Sequence, residues 1–143
     1  MSEMRVTRRL ATAAGIAGLV AAYAGAAQSA QSPGTIYPVS FPTGSIKLHQ
    51  ADQETIHGVA AAMERDPALT ATVLGKADTV GTAEYNEHLS WRRAAAVYEA
   101  LVFTYHVPAE RVQMRWTGER LPTVKTEDET AELQNRVVEI IVR

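Results

Sequence analysis

Apolar residues recur at helical spacing in two segments of the chain. In Asp52–Arg65, four apolar positions fall at i, i+3, i+4 and i+7, which places them on one face of a helix. These four residues are Ile56, Val59, Ala60 and Met63. A second segment with one apolar face runs from Ala83 to Tyr105 and stops before Pro108. We therefore predict two helices that each bury one face.

Four shorter segments are predicted as strands. They are Tyr37–Phe41, Leu69–Leu74, Val112–Trp116 and Val137–Val142. Pro38 places the first near a sheet edge, whereas apolar residues on both faces of the last are typical of a central or covered strand. An acidic, weakly helical segment, 126–135, precedes the last strand. The order βαβαβ(α)β predicts an α/β fold (an α+β sandwich), with helices packed on one side of a mixed four-stranded sheet.

The first thirty residues differ in composition from the rest of the chain. Arg5, Arg8 and Arg9 precede an uncharged run rich in Ala and Gly from Leu10 to Ala27, and small residues follow it. This layout is typical of a secretory signal peptide. We predict a signal peptide at 1–30, a linker at 31–36 and one folded domain at 37–143, exported to the periplasm. The alternative is that residues 1–30 remain as an uncleaved membrane anchor.

Composition excludes several classes of function. The net charge of −2 provides no basic surface for nucleic acid. The chain has no cysteine, which excludes disulfides and thiolate chemistry. Its four histidines show no metal-ligand spacing, and no nucleophile has a histidine at a plausible offset. We predict no metal, no cofactor and no catalytic residue.

Asp78 and Arg93 are the strongest candidates for a binding site. Asp78 follows the second strand in a short turn, and Arg93 shares a helical stripe with Leu89 and Val97. A strand, a turn and a helix in this order bring both side chains towards one mouth. Because a core stripe favours apolar residues, an arginine there must reach a partner or a cleft. An acid and a base facing one cleft suit a ligand with both an amine and a carboxylate; the alternative is an internal salt bridge between the two.

The residues around this pair occur at fixed offsets over most of the chain. The first block comprises Gly75, Asp78, Gly81, Asn86, Leu89, Ser90, Arg93, Ala94, Val97 and Leu101; the second comprises Gly118, Pro122 and the run Asn135-Arg136-Val137-Val138-Glu139-Ile140. This pattern resembles the OmpA-like domain, the peptidoglycan-binding module of outer-membrane proteins, Pal-type lipoproteins and flagellar-motor stators. The resemblance extends from Tyr37 to Arg143. One departure is Val137, where that family has a second arginine.

The resemblance implies a ligand for the site. In that family, the aspartate and the arginine of the first block hold the diaminopimelate side chain of the peptidoglycan stem peptide, and Asp78 and Arg93 stand at those positions. A carboxylate accepts hydrogen bonds from an ammonium group, and the fork of an arginine matches both oxygens of a carboxylate. Asn86, Leu89 and Arg136 are further candidate contacts. Their structural alternatives are a turn or cap residue, a core residue and a partner for an acidic side chain, respectively.

The resemblance also implies a role without catalysis. We expect non-covalent binding of diaminopimelate-containing peptidoglycan in the periplasm, which links the cell wall to the envelope. Outer-membrane or other envelope proteins are expected as further partners. The alternative function is an assembly or docking module of a membrane complex that keeps the OmpA-like fold and is anchored by an uncleaved N-terminal helix.

Overall fold

The computed structural model describes residues 33–120, 122, 124–127 and 132–143. The predicted signal peptide and the start of the predicted linker lie outside the described residues. Within those that are described, no helix combines the length and the apolar character needed to cross a membrane.

The described chain forms the predicted strands and helices in the predicted order. They are β1 (Thr35–Ser40), α1 (Gln50–Arg65), β2 (Ala71–Gly75), α2 (Ala83–Glu99), β3 (Val112–Trp116) and β4 (Val137–Val142). β1 begins two residues before the predicted start, and β2 begins two residues after it. The second helix was predicted to be α-helical to Tyr105, but its last turn, Ala100–Thr104, is π-helical. Residues 128–131 of the predicted weakly helical segment lie outside the described residues, and its end, Leu133–Asn135, forms a 3-10 turn.

The four strands form one mixed sheet in the order β1-β4-β2-β3. β4 runs antiparallel to both β1 and β2, and β2 runs parallel to β3. Val73 therefore lies opposite Ile140 on one side and Met114 on the other. The predictions that the strand with Pro38 is an edge strand and that the last strand is central are confirmed.

Both helices cover the same face of the sheet. Val39, Val73 and Ile140 point from three strands into one buried apolar cluster, which they share with Met63 of α1 and Val97 of α2. These five side chains are at most 1% exposed. Burial of side chains of this size contributes about 1.5–3 kcal/mol each. The predicted fold, with helices on one side of a mixed four-stranded sheet, is confirmed.

The helix α2 lies unusually close to β2, and this determines where its side chains reach. A Cβ atom added to Gly75 would stand 2.1 Å from the carbonyl oxygen of Ser90 and 3.0 Å from the Cβ of Ala94. Only glycine therefore fits at the end of β2. The first half of α2 is held directly above the turn that follows β2, where Asp78 lies.

Candidate functional site

Four loops meet around the first half of α2, and we call this region the α2 site. They are residues 41–45 after β1, 76–82 after β2, 117–120 after β3 and 132–136 before β4. Backbone hydrogen bonds join the loops: Ala77 N donates to Gly118 O at 2.8 Å, and Phe41 N donates to Arg136 O at 2.8 Å. The site is therefore built from segments that are distant in sequence.

Arg93 is fully buried within this site, at 0% exposure. Its Nε donates to Ser45 O at 2.9 Å and its Nη2 to Pro42 O at 2.9 Å, so it holds the loop after β1. The guanidinium carbon lies 5.3 Å from the ring centre of Phe41, within the range of a cation–π contact. The third nitrogen, Nη1, is buried and has no hydrogen-bond partner among the described residues.

The electrostatic surroundings of Arg93 are unfavourable for its charge. Burial lowers the pKa of Arg93 from the ordinary value of an arginine to about 10. Asp78 and Tyr85 act in the opposite direction and raise this pKa, whereas the nearby charge of Arg136 lowers it further. Arg93 remains a cation at neutral pH, and an additional anion beside it would stabilise it.

Asp78 is also buried, at 3% exposure. Its Oδ2 forms an ion pair with Nη1 of Arg136 at 3.1 Å and accepts a hydrogen bond from the backbone N–H of Glu132 at 3.3 Å. Its Oδ1 accepts only a long hydrogen bond of 3.4 Å, from the backbone N–H of Val80, among the described donors. The Oδ1 atom therefore has capacity for a further donor.

The alternative of a salt bridge between Asp78 and Arg93 is wrong for the described chain. The ion pair of Asp78 is with Arg136, since Arg93 directs two of its nitrogens at the backbone carbonyls of the loop after β1. Arg136 also donates through Nε to Phe41 O at 3.2 Å. Its side chain is 14% exposed, and it acts as the partner of an acidic residue, the structural alternative named for it.

Asn86 and Leu89 complete the side of α2 that faces the site. Asn86 is 0% exposed; its Nδ2 donates to Oε2 of Glu119 at 2.8 Å, and its Oδ1 is buried without a described partner. It does not cap the helix, because Thr82 is the N-cap and its side chain accepts from Tyr85 N. Leu89 is 5% exposed and lies outside the main apolar cluster. That the five predicted site residues contact a ligand remains a prediction.

Ser90 of α2 and Gly118 of the loop after β3 join these two segments, a role that the sequence did not reveal. Ser90 accepts a hydrogen bond from Gly118 N at 2.9 Å and donates one to Glu87 O at 2.8 Å. Gly118 has a φ of +58° and lies so close to α2 that a Cβ there would stand 3.0 Å from Cα of Glu87. A glycine in the loop and a serine three residues before Arg93 were the only hints in the sequence. Neither residue type indicates that the two contact each other.

Elsewhere, the described residues offer less chemistry. They contain no group of three or more His, Cys, Asp or Glu side chains arranged to hold a metal ion. A groove of about 730 Å³ lies on the sheet face opposite the helices, lined by residues such as Thr72, Leu74 and Arg115. We place the candidate site at the α2 site because the unsatisfied polar atoms Arg93 Nη1 and Asn86 Oδ1 are buried there.

Comparison with known proteins reveals a consistent set of relatives. A sequence model described as the OmpA family matches residues 40–136. The chain is 33% identical over 102 residues to the probable lipoprotein YiaD of Escherichia coli, covering 71% of this chain and 46% of that protein. It is 36% identical over 98 residues to the peptidoglycan-associated lipoprotein of Agrobacterium fabrum, covering 68% of this chain and 55% of that protein. The chain thus spans about half of the length of these relatives.

Solved structures support the same fold. The peptidoglycan-associated lipoprotein from Burkholderia pseudomallei aligns with a TM-score of 0.68 at 26% identity, over 74% of this chain and 89% of that one. The periplasmic domain of Helicobacter pylori MotB aligns with a TM-score of 0.63 at 18% identity, over 78% of this chain and 77% of that one. The second likeness concerns the fold alone.

Proposed function

Because the chain belongs to the OmpA family, we propose that its folded domain binds peptidoglycan non-covalently, through the diaminopimelate side chain of the stem peptide. The family consists of structural peptidoglycan-associated proteins rather than enzymes, and the prediction of a non-catalytic domain is confirmed at that level. Its relatives are envelope proteins by name. The ligand and the residues that contact it are the proposal.

The observation that carries this proposal is the unpaired Nη1 of Arg93. Burying a charged group without hydrogen-bonding all its donors is costly, and such groups are rare unless they serve a function. Arg93 is 0% exposed, and its Nη1 has no partner among the described residues. A ligand carboxylate at Nη1 would supply both the missing acceptor and a compensating charge.

Asp78 provides the complementary half of the site. Its Oδ1, which accepts only one long hydrogen bond from a described donor, suits the ammonium group of the ligand. The distal end of diaminopimelate has an ammonium and a carboxylate on one carbon atom, so one ligand group satisfies both residues. Arg136 orients Asp78 through the ion pair at 3.1 Å instead of contacting the ligand through that nitrogen.

The expected affinity for one stem peptide is modest. Each charge-assisted hydrogen bond contributes about 1.5–3 kcal/mol, and association costs at least about 4 kcal/mol in lost freedom. Binding to a polymer with many identical stem peptides raises the effective affinity when several copies of the chain are present together. A weak site is therefore compatible with stable attachment to the cell wall.

The proposal is tested by comparing two kinds of sacculi with the unmodified chain. Lysine-type peptidoglycan keeps the amine of the third residue but lacks its second carboxylate. If Arg93 binds that carboxylate, co-sedimentation should be at least about 10-fold weaker with lysine-type than with diaminopimelate-type sacculi. Equal binding to both types would reject the assignment of Arg93.

Free meso-diaminopimelate provides the matching competition experiment. It should release the chain from diaminopimelate-type sacculi, whereas Nα-acetyl-lysine amide, which presents only the side-chain amine of lysine, should not do so at the same concentration. Release by both compounds to the same extent would show that the amine alone is recognised. That result would be compatible with a ligand contact of Asp78 and would reject one of Arg93.

We also propose where the domain acts. Residues 1–30 deliver the chain to the periplasm, either as a cleaved signal peptide or as a retained anchor, and envelope proteins are its further partners. N-terminal sequencing of the mature chain separates the two forms. A start near residues 27–31 would support cleavage, whereas a start at Met1 or Ser2 would support the anchored docking module.

A further inference from the structure

A groove on the exposed face of α2, opposite the face that carries Arg93, combines two tryptophans with two carboxylates, and we call it the tryptophan groove. It is an open surface depression of about 510 Å³, lined by Glu84, Glu87, His88, Trp91 and Trp116. The first four are spaced at i, i+3, i+4 and i+7 along α2, so they form one stripe of the helix. Trp116 closes the groove from the end of β3.

Both tryptophans of the groove are partly exposed to solvent. Trp91 is 39% exposed and Trp116 is 38% exposed. The indole of Trp91 stacks on the His88 ring, with centroids 5.7 Å apart and planes inclined by 23°. Half-exposed indoles provide flat apolar surfaces together with N–H donors. Such surfaces are typical of a binding site rather than of a bare exterior.

The charges along the groove favour a neutral ligand over a cation. Glu87 has an ion pair with Arg120 at 3.5 Å. Glu84 stands in the first turn of α2, where the positive end of the helix dipole partly offsets a carboxylate. The groove therefore presents carboxylate oxygens as hydrogen-bond acceptors, and positive charge close to each carboxylate offsets part of its negative charge. Hydroxyl and amide N–H groups are the donors that match them.

The position of the groove connects it to the proposed peptide site. Glu87 follows Asn86 directly, and the loop after β3 joins the two sides: Glu119 accepts from Asn86, and Gly118 packs on Glu87. The tryptophan groove and the α2 site thus lie on opposite faces of α2 and share the loop after β3. In peptidoglycan, diaminopimelate is the third residue of a peptide attached to the glycan, so the glycan follows within a few residues of the bound side chain.

From these observations we propose that the tryptophan groove binds the glycan strand of peptidoglycan, a chain of N-acetylated amino sugars. This proposal rests on the proposed function, which places the stem peptide at Arg93. The indole faces of Trp91 and Trp116 pack on the apolar faces of the sugar rings. The carboxylates of Glu84 and Glu87 accept hydrogen bonds from sugar hydroxyl and acetamido groups.

The chain itself supplies the spectroscopic probe, because Trp91 and Trp116 are its two tryptophans. The full chain in mild detergent is titrated with tri-N-acetylchitotriose while tryptophan emission is recorded. A saturable change is expected. Trp91→Ala and Trp116→Ala should each weaken the affinity about 2- to 10-fold. Phe103→Ala, which removes an aromatic side chain that is 70% exposed at the other end of the second helix, should not.

A second ligand separates a glycan from a cationic peptide. If a dilysine peptide produces a saturable change and tri-N-acetylchitotriose does not, the groove recognises cations and the proposal is overturned. Glu84→Gln adds a matched test, since the amide keeps an acceptor but loses the charge. It should leave chitotriose affinity within about 2-fold, whereas a cation site would lose affinity. No emission change with the sugar up to its solubility limit also overturns the proposal.

The glycan and the diaminopimelate proposals fail in distinguishable ways. A disaccharide-tripeptide should bind the unmodified chain more tightly than the tripeptide alone. Trp116→Ala should lose this difference and keep its affinity for the tripeptide. Arg93→Met should lose tripeptide affinity and keep the chitotriose response. A tripeptide that does not bind refutes the assignment of Arg93, whereas a missing sugar increment refutes the glycan site.

Discussion

Substituting Arg93 with methionine removes a guanidinium that has both a structural and a proposed binding role. The side chain donates two hydrogen bonds of 2.9 Å to Ser45 O and Pro42 O. Charge-assisted bonds of this kind contribute about 1.5–3 kcal/mol each. The fall of the Arg93 pKa to about 10 indicates that its surroundings disfavour the charge, by roughly 3 kcal/mol. In Arg93→Met, the loss of the two hydrogen bonds destabilises the folded state, whereas the removal of a disfavoured buried charge stabilises it. The two effects largely offset each other.

The variant should therefore remain folded and lose binding. We expect a loss of about 1–3 kcal/mol in the free energy of unfolding, which is less than the about 5–15 kcal/mol typical of a domain. Binding to diaminopimelate-type sacculi should fall about 10- to 100-fold, because one charge-assisted contact with the ligand carboxylate is lost. Unfolding is measured by urea titration with circular dichroism, and binding by co-sedimentation well below the melting temperature.

Arg92→Ala is the matched control. Arg92 is the exposed neighbour of Arg93 on the same helix, so its replacement removes the same charge without touching the site. Both its stability and its binding should remain within about 0.5 kcal/mol of the original. If Arg93→Met is folded and binds sacculi as strongly as Arg92→Ala does, Arg93 does not contact the ligand. If Arg93→Met is unfolded, Arg93→Lys, which keeps a charge but not the fork, should still bind more weakly than the control.

Three further predictions concern the surroundings of this residue. Gly75→Ala should destabilise the domain by about 1–3 kcal/mol or more in urea titration, since its Cβ would lie 2.1 Å from Ser90 O; unchanged stability would refute this close approach. Arg136→Met should cost about 3–5 kcal/mol because it leaves Asp78 buried without its ion pair, and the additional replacement Asp78→Asn should recover part of that loss; no recovery would contradict the pairing. The pH dependence of Arg93 has a definite sign. Since the folded pKa of Arg93, about 10, lies below its ordinary value in the unfolded chain, the unfolded state binds more protons in the pH range between the two pKa values. The stability of the original chain relative to Arg93→Met should therefore rise as pH increases above 10, and a decrease would refute the lowered pKa.

Much of the site was predictable because its residue types are unusual at their positions. An arginine within an apolar helical stripe must reach a partner, and Arg93 is indeed buried with two backbone acceptors and one unpaired nitrogen. The position of Asp78 in the turn between β2 and α2 was predictable from the order of strand, turn and helix alone. The ion-pair partner of Asp78 was not predictable, since it depends on which side chain a distant loop places beside it. Arg136, 58 residues after Asp78 in sequence, is the one that does.

The sequence by itself determined the order of the strands and helices, the edge position of β1 and the central position of β4. These depend on periodicity and on local conformational restriction, as with Pro38, and both are encoded within a few residues. Only the tertiary structure decided how α2 seats on β2 at Gly75, how the loop after β3 reaches Ser90, and how Trp116 meets the helical stripe ending at Trp91. Those contacts join residues that are far apart in the chain, and close packing in three dimensions, not local propensity, selects them.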